Sequence, residues 1–320
     1  MSDQEIYELV LSSPKVDANS LFVSEGKYDE GSVARIASDT VAKIVIGRSE
    51  AERELTSTEL VRTSTYIPVP KCDRLSARFC APGAYLLRQF IPGRTLREAW
   101  PSLGWWSRFR VFITLRYYIR QLRHLAAHVG APPFPGPPNS DGLPQECHGR
   151  LFNSSGSGPF SSYSELSRWY RNRLLVVQRF RKEGLGVEPF DGTMPLVFTH
   201  LDLHPGNVRS VVILVLTHPS LHLANLILGD DGQLWVIDWA NAGWYPAWFE
   251  AASMTLFSET HPDTPPSWSS WTPFVAGSCE QPGQLPFIRA ISYSLECMRS
   301  EIINLASMRF SRHRCCLDPL

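Results

Sequence analysis

The fold is decided by Phe198-Thr199-His200-Leu201-Asp202-Leu203-His204-Pro205-Gly206-Asn207, together with Val236-Ile237-Asp238-Trp239. The first stretch follows a short apolar run and places a carboxylate, an imidazole and a carboxamide on a predicted loop. The second stretch ends a hydrophobic strand with a single aspartate. One carboxylate can orient an attacking hydroxyl, while an amide oxygen and a second carboxylate can hold a divalent metal. The two stretches together therefore predict phosphoryl transfer from a magnesium nucleotide.

Asp202 is the predicted catalytic residue, because a carboxylate within hydrogen-bond reach can aim a hydroxyl nucleophile and accept its proton. A single loop aspartate more often caps a helix or a turn. The spacing of His200, Asp202 and Asn207 favours catalysis, because it is that of the H-x-D-x-x-x-x-N loop of kinases. Asp238 stands where kinases have the aspartate of D-F-G. Asn207 and Asp238 are the expected metal ligands, and His200 is expected to brace the loop.

Lys43 is the predicted phosphate-binding residue. It lies in the segment 41–44, Val-Ala-Lys-Ile, which is similar to the V-A-I-K strand of kinases. A lysine between apolar neighbours needs an anionic partner, but a lysine on the exposed face of an alternating strand does not, and the strand alone does not decide between them. Glu54 on the following predicted helix is the expected partner of Lys43, with Glu50 and Glu52 as rivals.

Composition excludes several other classes of protein. The chain has 320 residues, and its 31 basic side chains are balanced by 31 acidic ones, so no global field favours a nucleic-acid or membrane partner. The longest aliphatic run, 211–216, is too short to span a bilayer. Seven cysteines without a C-x-x-C pair are typical of reduced thiols, so a cytoplasmic protein is expected. Gly26-Lys27 lacks the earlier glycine of a Walker-type phosphate loop.

The first part of the chain is predicted to be rich in strands. Residues 32–36 and 40–45 are typical of a hairpin, and 50–62 has the composition of a helix. Residues 85–91 form a further predicted strand, and Pro92-Gly93 ends it. We therefore place a joint between two lobes at this turn.

The remainder of the chain is predicted to be mainly helical. One helix is indicated by apolar residues at intervals of three and four, namely Trp105, Phe109, Phe112, Leu115, Ile119 and Leu122. A second helix is predicted to begin at a capping box formed by Ser162 and Glu165. These patterns predict an α+β protein with an N-terminal nucleotide-binding lobe, 1–91, and a larger C-terminal catalytic and substrate lobe, 92–320.

At this point the sequence resembles the aminoglycoside phosphotransferase-like (kinase-like) family, in the form common in fungi. The similar segments follow one another in the same order and spacing, and they are 32–43, 67–70, 90–96, 158–160, 198–207 and 232–246. They cover the part of the chain from about residue 30 to about residue 250.

The resemblance implies a two-lobed protein-kinase-like fold with ATP between the lobes. It implies an adenine-binding hinge near residues 88–91, and the candidate cofactor-binding residues there are Gln89, Phe90 and Ile91. It assigns the base role to Asp202, the magnesium to Asn207 and Asp238, and the phosphates to Lys43. The implied acceptor is a small molecule with a hydroxyl group. Leu201 departs from the family, which has glycine at this position, and the side chain is expected to crowd the loop.

An insertion interrupts the resemblance. In the family a strand follows the asparagine almost at once, whereas here 208–224 intervenes before Asn225 and the next predicted strand. Excising 206–223 would bring Asn225 to the position now held by Asn207. The ends of this stretch can be encoded as a splice donor and a splice acceptor, so we interpret 206–223 as an anomalous insertion translated from an unspliced intron. Asn225 is therefore a second candidate metal ligand. A genuine surface loop is the alternative, although the run 211–216 would be an aggregation hazard.

Three functions from different classes fit these patterns. The first is an ATP- and magnesium-dependent phosphotransferase. The second is a catalytically impaired nucleotide-binding protein, which is favoured if the insertion is real. The third is a metallohydrolase that would use Asp202 and four histidines, which are His200, His204, His218 and His222. Glu250, Glu259 and Asp263 could favour a cationic acceptor, although solvated surface acids are the commoner case.

Overall fold

The computed structural model describes residues 1–13, 33–45, 47–77, 83–130, 132–153, 155–181, 186–204, 225–260, 264–277 and 283–296. Its helices are α1 (Asp3–Ser12), α2 (Arg48–Ser64), α3 (Leu96–Ala99), α4 (Trp105–Val129), α5 (Tyr163–Arg181), α6 (Phe249–Thr260), α7 (Pro266–Ala276) and α8 (Gln284–Glu296). Its strands are β1 (Val33–Arg35), β2 (Thr40–Val45), β3 (Cys72–Ala77), β4 (Ala84–Gln89), β5 (Gly93–Thr95), β6 (Leu196–Thr199), β7 (Leu226–Gly229), β8 (Leu234–Val236) and β9 (Gly243–Pro246).

The N-terminal part forms a four-stranded antiparallel sheet in the order β1-β2-β4-β3. The predicted hairpin is β1 and β2, and the predicted strand over 85–91 is β4, so both predictions are confirmed. Strand β3 was not predicted, because its sequence Cys-Asp-Arg-Leu-Ser-Ala is mostly polar. As an edge strand it is determined by its pairing with β4 rather than by an apolar face of its own.

The two faces of this sheet pack against different helices. Ile6 and Val10 of α1 lie in one apolar cluster with the sheet residues Ala34, Ile36, Ala42, Ile44, Tyr85 and Leu87. Ala51 of α2 lies in another cluster with Val45, Ala84 and Leu86. Because side chains alternate along a strand, Lys43 shares the face of Val45 and points towards α2. The pleat of β2 thus directs the lysine to the helix that carries Glu54.

Helix α4 is the longest element of the mainly helical remainder. Phe112, Leu115, Ile119 and Leu122 are buried in the largest apolar cluster, as their spacing predicts. Trp105, the first residue of the predicted stripe, is 76% exposed, so that part of the prediction is wrong. The helix begins at Trp105, and its first turn lies outside the apolar cluster. The predicted helix after Ser162 is confirmed as α5, and Ser162 Oγ accepts the backbone N–H of Glu165.

Two small antiparallel sheets bring the polar stretches together. One has the order β5-β7-β8, and the other pairs β6 with β9. Gly93 begins β5 rather than only ending β4, and its φ of 150° and close approach to the Leu228 carbonyl leave no room for a side chain. Asn225 directly precedes β7, residues 200–204 directly follow β6, and Asp238 stands two residues after β8. The polar groups of these three segments therefore lie together, each at the end of a strand.

Two further findings concern the described part of the chain. Its cysteines, Cys72 and Cys147, are free thiols. None of its helices combines the length and the hydropathy that a membrane span requires.

Candidate active site

The backbone of the loop 200–204 is hydrogen-bonded to a buried glutamate of α6. The Glu250 carboxylate accepts the backbone N–H groups of His200 and Leu201 through Oε2, at 2.7 and 3.1 Å. Glu250 is only 1% exposed. Desolvation by burial raises the pKa of Glu250 to about 7, although both backbone hydrogen bonds act in the opposite direction. Glu250 therefore fixes the backbone of the loop and is not exposed to an acceptor, so the interpretation that it attracts a cation is wrong.

Leu201 adopts a backbone conformation that favours glycine, with a φ of 65°. Its side chain is nevertheless 1% exposed and packs in the cluster that contains Tyr245 and Phe249. A left-handed conformation costs a leucine about 1–2 kcal/mol, and full burial of its side chain gains about 1.5–3 kcal/mol. Leu201 therefore anchors the loop in the core, and the expected crowding of the loop is not seen.

His200 connects the loop to the strand end that carries Asp238. Its Nε2 atom lies 3.0 Å from the carbonyl oxygen of Ile237, and its Nδ1 atom accepts the backbone N–H of Asp202 at 3.2 Å. This pair of contacts requires a neutral imidazole with the proton on Nε2. Burial lowers the pKa of His200, which favours the same neutral form. His200 thus connects the two polar stretches through one contact to each.

Asp202 lies beside Asn225, although 22 residues separate them in the sequence. The Asn225 Nδ2 group donates to the Asp202 carbonyl oxygen at 2.8 Å and to Asp202 Oδ2 at 2.9 Å. His204 Nε2 lies 3.5 Å from the other carboxylate oxygen, Oδ1, and its ring stacks on Phe257 with 3.8 Å between the ring centroids. Asp202 is 5% exposed. Its carboxylate is therefore held in one orientation by neighbours on both sides.

Lys43 joins the N-terminal sheet to the Asp238 strand end. Its Nζ atom lies 2.7 Å from Glu54 Oε2 and 2.7 Å from Asp238 Oδ1. Arg88 Nη1 lies 3.1 Å from the other Glu54 oxygen, so one buried carboxylate serves two cations. Although burial opposes the charge, Asp238 and Glu54 raise the pKa of Lys43 to about 12. Lys43 therefore remains a cation at the edge of the site.

Asp238 is the second carboxylate of the site and has a φ of 65°, a conformation that aspartate tolerates better than most residues. Burial would raise its pKa, but Lys43 outweighs this effect and the pKa is lowered. The charge of Asp202 acts on Asp238 in the raising direction, so the two carboxylates lie within electrostatic reach of one another. A cation bound between the two carboxylates would reduce the repulsion between them.

The side chain of Asn225 has the property expected of a magnesium ligand, which is a buried oxygen, Oδ1, without a hydrogen-bond donor among the described residues. A buried amide oxygen without a partner is costly, and a hard cation would relieve that cost. The backbone carbonyl of Asn225 also accepts the N–H of Ile237 at 3.0 Å, which ties the residue to the Asp238 strand end. Asn225 and Asp238 therefore offer the oxygen atoms that magnesium prefers.

The other predicted site residues are Asn207 and the three residues of the hinge. Asn207 lies outside the described residues. The backbone N–H groups of Gln89 and Phe90 donate to the carbonyls of Lys71 and Asp39, at 2.9 and 2.7 Å. These two hinge amides are therefore engaged within the protein. Ile91 is buried next to them, with 8% exposure.

Two of the rival acidic residues lie on the surface of the described part of the chain. Glu52 is exposed and pairs with Arg48 at 2.9 Å, on the opposite side of α2 from the lysine's partner Glu54. Glu259 forms an exposed ion pair with Arg289. Asp263, His218 and His222 lie outside the described residues. Within the described part of the chain, no group of three His, Cys, Asp or Glu residues has the geometry of a metal site. Because His218 and His222 lie outside the described residues, the metallohydrolase stays a prediction.

Three charged residues in or beside the site were not predicted to belong to it. Arg88 was assigned only to the hinge, although a charged residue inside the apolar strand 85–91 signals an ion pair. Glu250 was considered as an acid that attracts a cationic acceptor or as a solvated surface acid, although it sits among apolar residues in 247–252 and is the sole charge there. Arg150 was not considered, and it lies over the ring of Phe257 beside the site, with 4.6 Å from its Cζ atom to the ring centroid.

Solved structures of an aminoglycoside phosphotransferase share this arrangement of elements. A thermostable mutant of aminoglycoside phosphotransferase APH(4)-Ia in its apo form matches with a TM-score of 0.50 at 13% identity, over 92% of this chain and 88% of that chain. A further mutant, in a ternary complex with ADP and hygromycin B, matches with a TM-score of 0.50 at 14% identity, over 97% of this chain and 92% of that chain. The chain has a kinase-like fold.

The sequence itself has no comparable match. No protein-family model matches it, and no curated protein matches it. Similarity at such low identity establishes the α+β, kinase-like architecture and leaves the activity to be argued from the site.

Proposed function

We propose that this protein is an ATP- and magnesium-dependent phosphotransferase that acts on a hydroxyl group of a small molecule. One observation carries the proposal: Asp202, Asn225 and Asp238 come from three strand ends and meet beside Lys43. This is the set of groups that phosphoryl transfer requires. In the proposal the nucleotide lies between the lobes 1–91 and 92–320, with adenine near 89–91, and the protein works in the cytoplasm, where ATP is abundant.

Asp202 is the proposed base. Asn225 donates to one carboxylate oxygen, Oδ2, and in the proposal the acceptor hydroxyl binds at Oδ1, which lies 3.5 Å from His204 Nε2. A positioned carboxylate aims the hydroxyl oxygen at the γ-phosphorus and accepts its proton late in the reaction. Because the carboxylate is fixed before the acceptor binds, little of the binding free energy is lost in ordering it.

Lys43 is the proposed ligand of the α- and β-phosphates. Glu54 and Asp238 keep it charged and aim its Nζ atom at the edge of the site. Asp238 and the Oδ1 atom of Asn225 would hold a magnesium ion, which supplies positive charge to the phosphate oxygens. His200 and Glu250 hold the loop so that Asp202 keeps its distance from these groups.

Asn225, rather than Asn207, is the proposed metal ligand. The hydrogen bonds between Asn225 and Asp202 are those expected of two residues separated by a short loop, which is the spacing that excision of 206–223 would restore. This agrees with the interpretation of 206–223 as translated intron. Sequencing of mature transcripts tests that interpretation: messages that all retain the segment would contradict it.

A coupled ATP-consumption screen of hydroxylated small molecules tests the proposed activity. The parent protein and Asp202→Asn are compared, and we expect a Mg²⁺-dependent turnover that falls by about 10²–10⁴-fold in the variant, the usual contribution of a general base. Lys71→Gln is the matched control, because the Lys71 side chain is exposed and pairs with the nearby Asp73.

The outcomes of this screen separate the candidate functions. Turnover that Asp202→Asn leaves unchanged would contradict the assignment of the base. Binding of magnesium-ATP without turnover, in parent and variant alike, would instead favour the impaired nucleotide-binding protein. That candidate is suggested by the insertion between Asp202 and Asn225. No binding of magnesium-ATP would refute the proposal as a whole.

A further inference from the structure

Arg150 is a cation close to the proposed base. Its Cζ atom lies 4.6 Å from the ring centroid of Phe257. The same ring stacks on His204 at 3.8 Å, and His204 Nε2 is 3.5 Å from Asp202 Oδ1. Two aromatic rings therefore link the guanidinium to the carboxylate that would receive the acceptor hydroxyl.

The guanidinium of Arg150 is half-buried, and one of its donors, the buried Nε, has no acceptor among the described residues. Desolvation lowers the pKa of Arg150, and the charge of Asp202 opposes that shift. The stretch 205–224, which follows the loop, contains no aspartate or glutamate that would add a counter-charge. A half-buried guanidinium with an unused donor carries a desolvation cost, and an anion bound beside it would offset that cost in addition to the charge of Asp202.

A second arginine makes the same region more positive. Arg53 of α2 is 8% exposed, and its Nε atom is also buried without a partner among the described residues. Burial and the nearby charge of Arg53 lower the pKa of His148 to about 4, so His148 is neutral at pH 7. The neighbouring Glu146 therefore faces an uncharged imidazole, at 3.8 Å, rather than forming an ion pair with it.

The acidic residues that would attract a cationic acceptor are engaged elsewhere. Glu250 is buried beneath the loop and accepts two backbone N–H groups. Glu259 is paired with Arg289. Asp238, the other carboxylate within electrostatic reach of Asp202, is paired with Lys43. A polycationic acceptor would therefore meet repulsion from Arg150, which these three engaged carboxylates would not offset.

We propose that the acceptor is a small hydroxylated molecule that carries an anionic group, a carboxylate or a phosphate, which Arg150 binds while the hydroxyl faces Asp202. This inference rests on the proposed phosphotransferase function. A guanidinium is suited to this role, because its planar set of N–H donors matches both anions. The site then selects its acceptor by charge as well as by shape.

Calorimetric binding to the full chain tests this inference. The protein is first titrated with magnesium and a non-hydrolysable ATP analogue, and failure at this step would refute the proposed function itself, and the acceptor assignment with it. The loaded protein is then titrated with four three-carbon probes, which are glycerate, glycerol 3-phosphate, glycerol and serinol. We expect the two anions to bind at least about tenfold more tightly than neutral glycerol or cationic serinol. The stronger of the two anions identifies the group that the site prefers.

Three variants assign the effect to Arg150. Arg150→Gln should weaken binding of the anions about tenfold or more, whereas Arg150→Lys should keep the order of the probes at reduced affinity. Arg62→Gln is the control, because Arg62 forms only an exposed pair with Glu59 and should change nothing. Anions that bind Arg150→Gln as well as the parent, anions that do not bind the loaded parent, or serinol as the strongest probe would each overturn the inference. Thermal unfolding of every variant confirms that it is folded.

Discussion

At the scale of the residue, Glu250 is a carboxylate whose folded environment opposes its charge. Burial raises its pKa from 4.5 to about 7. Between these values the folded chain keeps a proton that the unfolded chain has released, so stability falls as the pH rises. The stabilising contribution is complete below pH 4.5 and is lost as the pH rises through about 7. At 1.36 kcal/mol per pKa unit, the loss is about 3 kcal/mol.

Glu250→Gln should remove this dependence, because glutamine has the shape of the protonated acid at every pH. We expect variant and parent to have similar unfolding free energies near pH 4.5, and the variant to be more stable by up to about 3 kcal/mol near pH 8. Urea denaturation across this range measures the difference. Glu259→Gln, which changes an exposed ion pair, should shift the free energy by less than about 1 kcal/mol throughout. A Glu250→Gln effect that is constant with pH would contradict this account.

At the scale of the element, α2 presents one glutamate to the sheet and another to solvent. Its buried positions include Ala51, Glu54, Thr58 and Val61, at intervals of three and four, so Glu54 belongs to the packed stripe. Glu52 lies on the opposite, exposed side and pairs with Arg48. The helical periodicity of the buried positions in α2 would therefore have identified Glu54, rather than Glu52, as the buried glutamate from the sequence.

Glu54→Gln and Glu52→Gln form a matched pair on this helix. Loss of the Glu54 charge leaves Lys43 and Arg88 buried without their shared anion, so we expect destabilisation of about 3–5 kcal/mol and weaker nucleotide binding. Glu52→Gln removes only an exposed ion pair and should cost less than about 0.5 kcal/mol. Chemical denaturation and nucleotide titration measure both effects. Equal effects of the two substitutions would show that the buried network is not important.

At the scale of the whole molecule, the site joins segments that the sequence keeps apart. Asp202 and Asn225 are hydrogen-bonded across the stretch 205–224. Because the ends of this stretch are already close, only Pro205 and Ala224 are needed to connect them when 206–223 is removed. Shortening a loop in this way lowers the entropy cost of closing it by about 1–2 kcal/mol.

Deletion of 206–223 should therefore preserve the fold and the nucleotide site. We expect unchanged affinity for magnesium-ATP and a stability about 1–2 kcal/mol higher than that of the parent, measured by titration and by urea denaturation. A second variant replaces 206–223 with a Gly-Ser segment of equal length, which separates the effect of length from that of the aliphatic run 211–216. A deletion variant that folds but no longer binds nucleotide would show that the segment contributes to the site.

Much of this architecture follows from local sequence patterns. Helix α4 follows from hydrophobic periodicity, which reports the environment of each residue directly. The composition of 50–62 indicates α2, and the capping box at Ser162 indicates α5. The hairpin and β4 follow from short strand-like runs. Strand β3 was not predicted, because its pairing with β4 determines it. Trp105 was wrongly predicted to be buried, because a helical stripe does not show where the core ends.

Motif spacing indicated Asp202 and Asp238. It indicated Asn207 before Asn225, because spacing along the chain is not distance in space. Glu250 is the sole charge among the apolar residues 247–252, which indicates burial, but its backbone partners lie 49 and 50 residues away and no local pattern encodes them. The contact of Arg150 with Phe257 likewise joins distant segments.

The most direct test of the central claim compares two asparagines. Magnesium-ATP binding is measured by calorimetry for the parent, Asn225→Ala and Asn207→Ala, with EDTA titrations as the metal-free reference. The claim predicts that Asn225→Ala weakens the magnesium-dependent part of the affinity at least about tenfold, whereas Asn207→Ala matches the parent. Loss of affinity in Asn207→Ala, with Asn225→Ala unaffected, would contradict it.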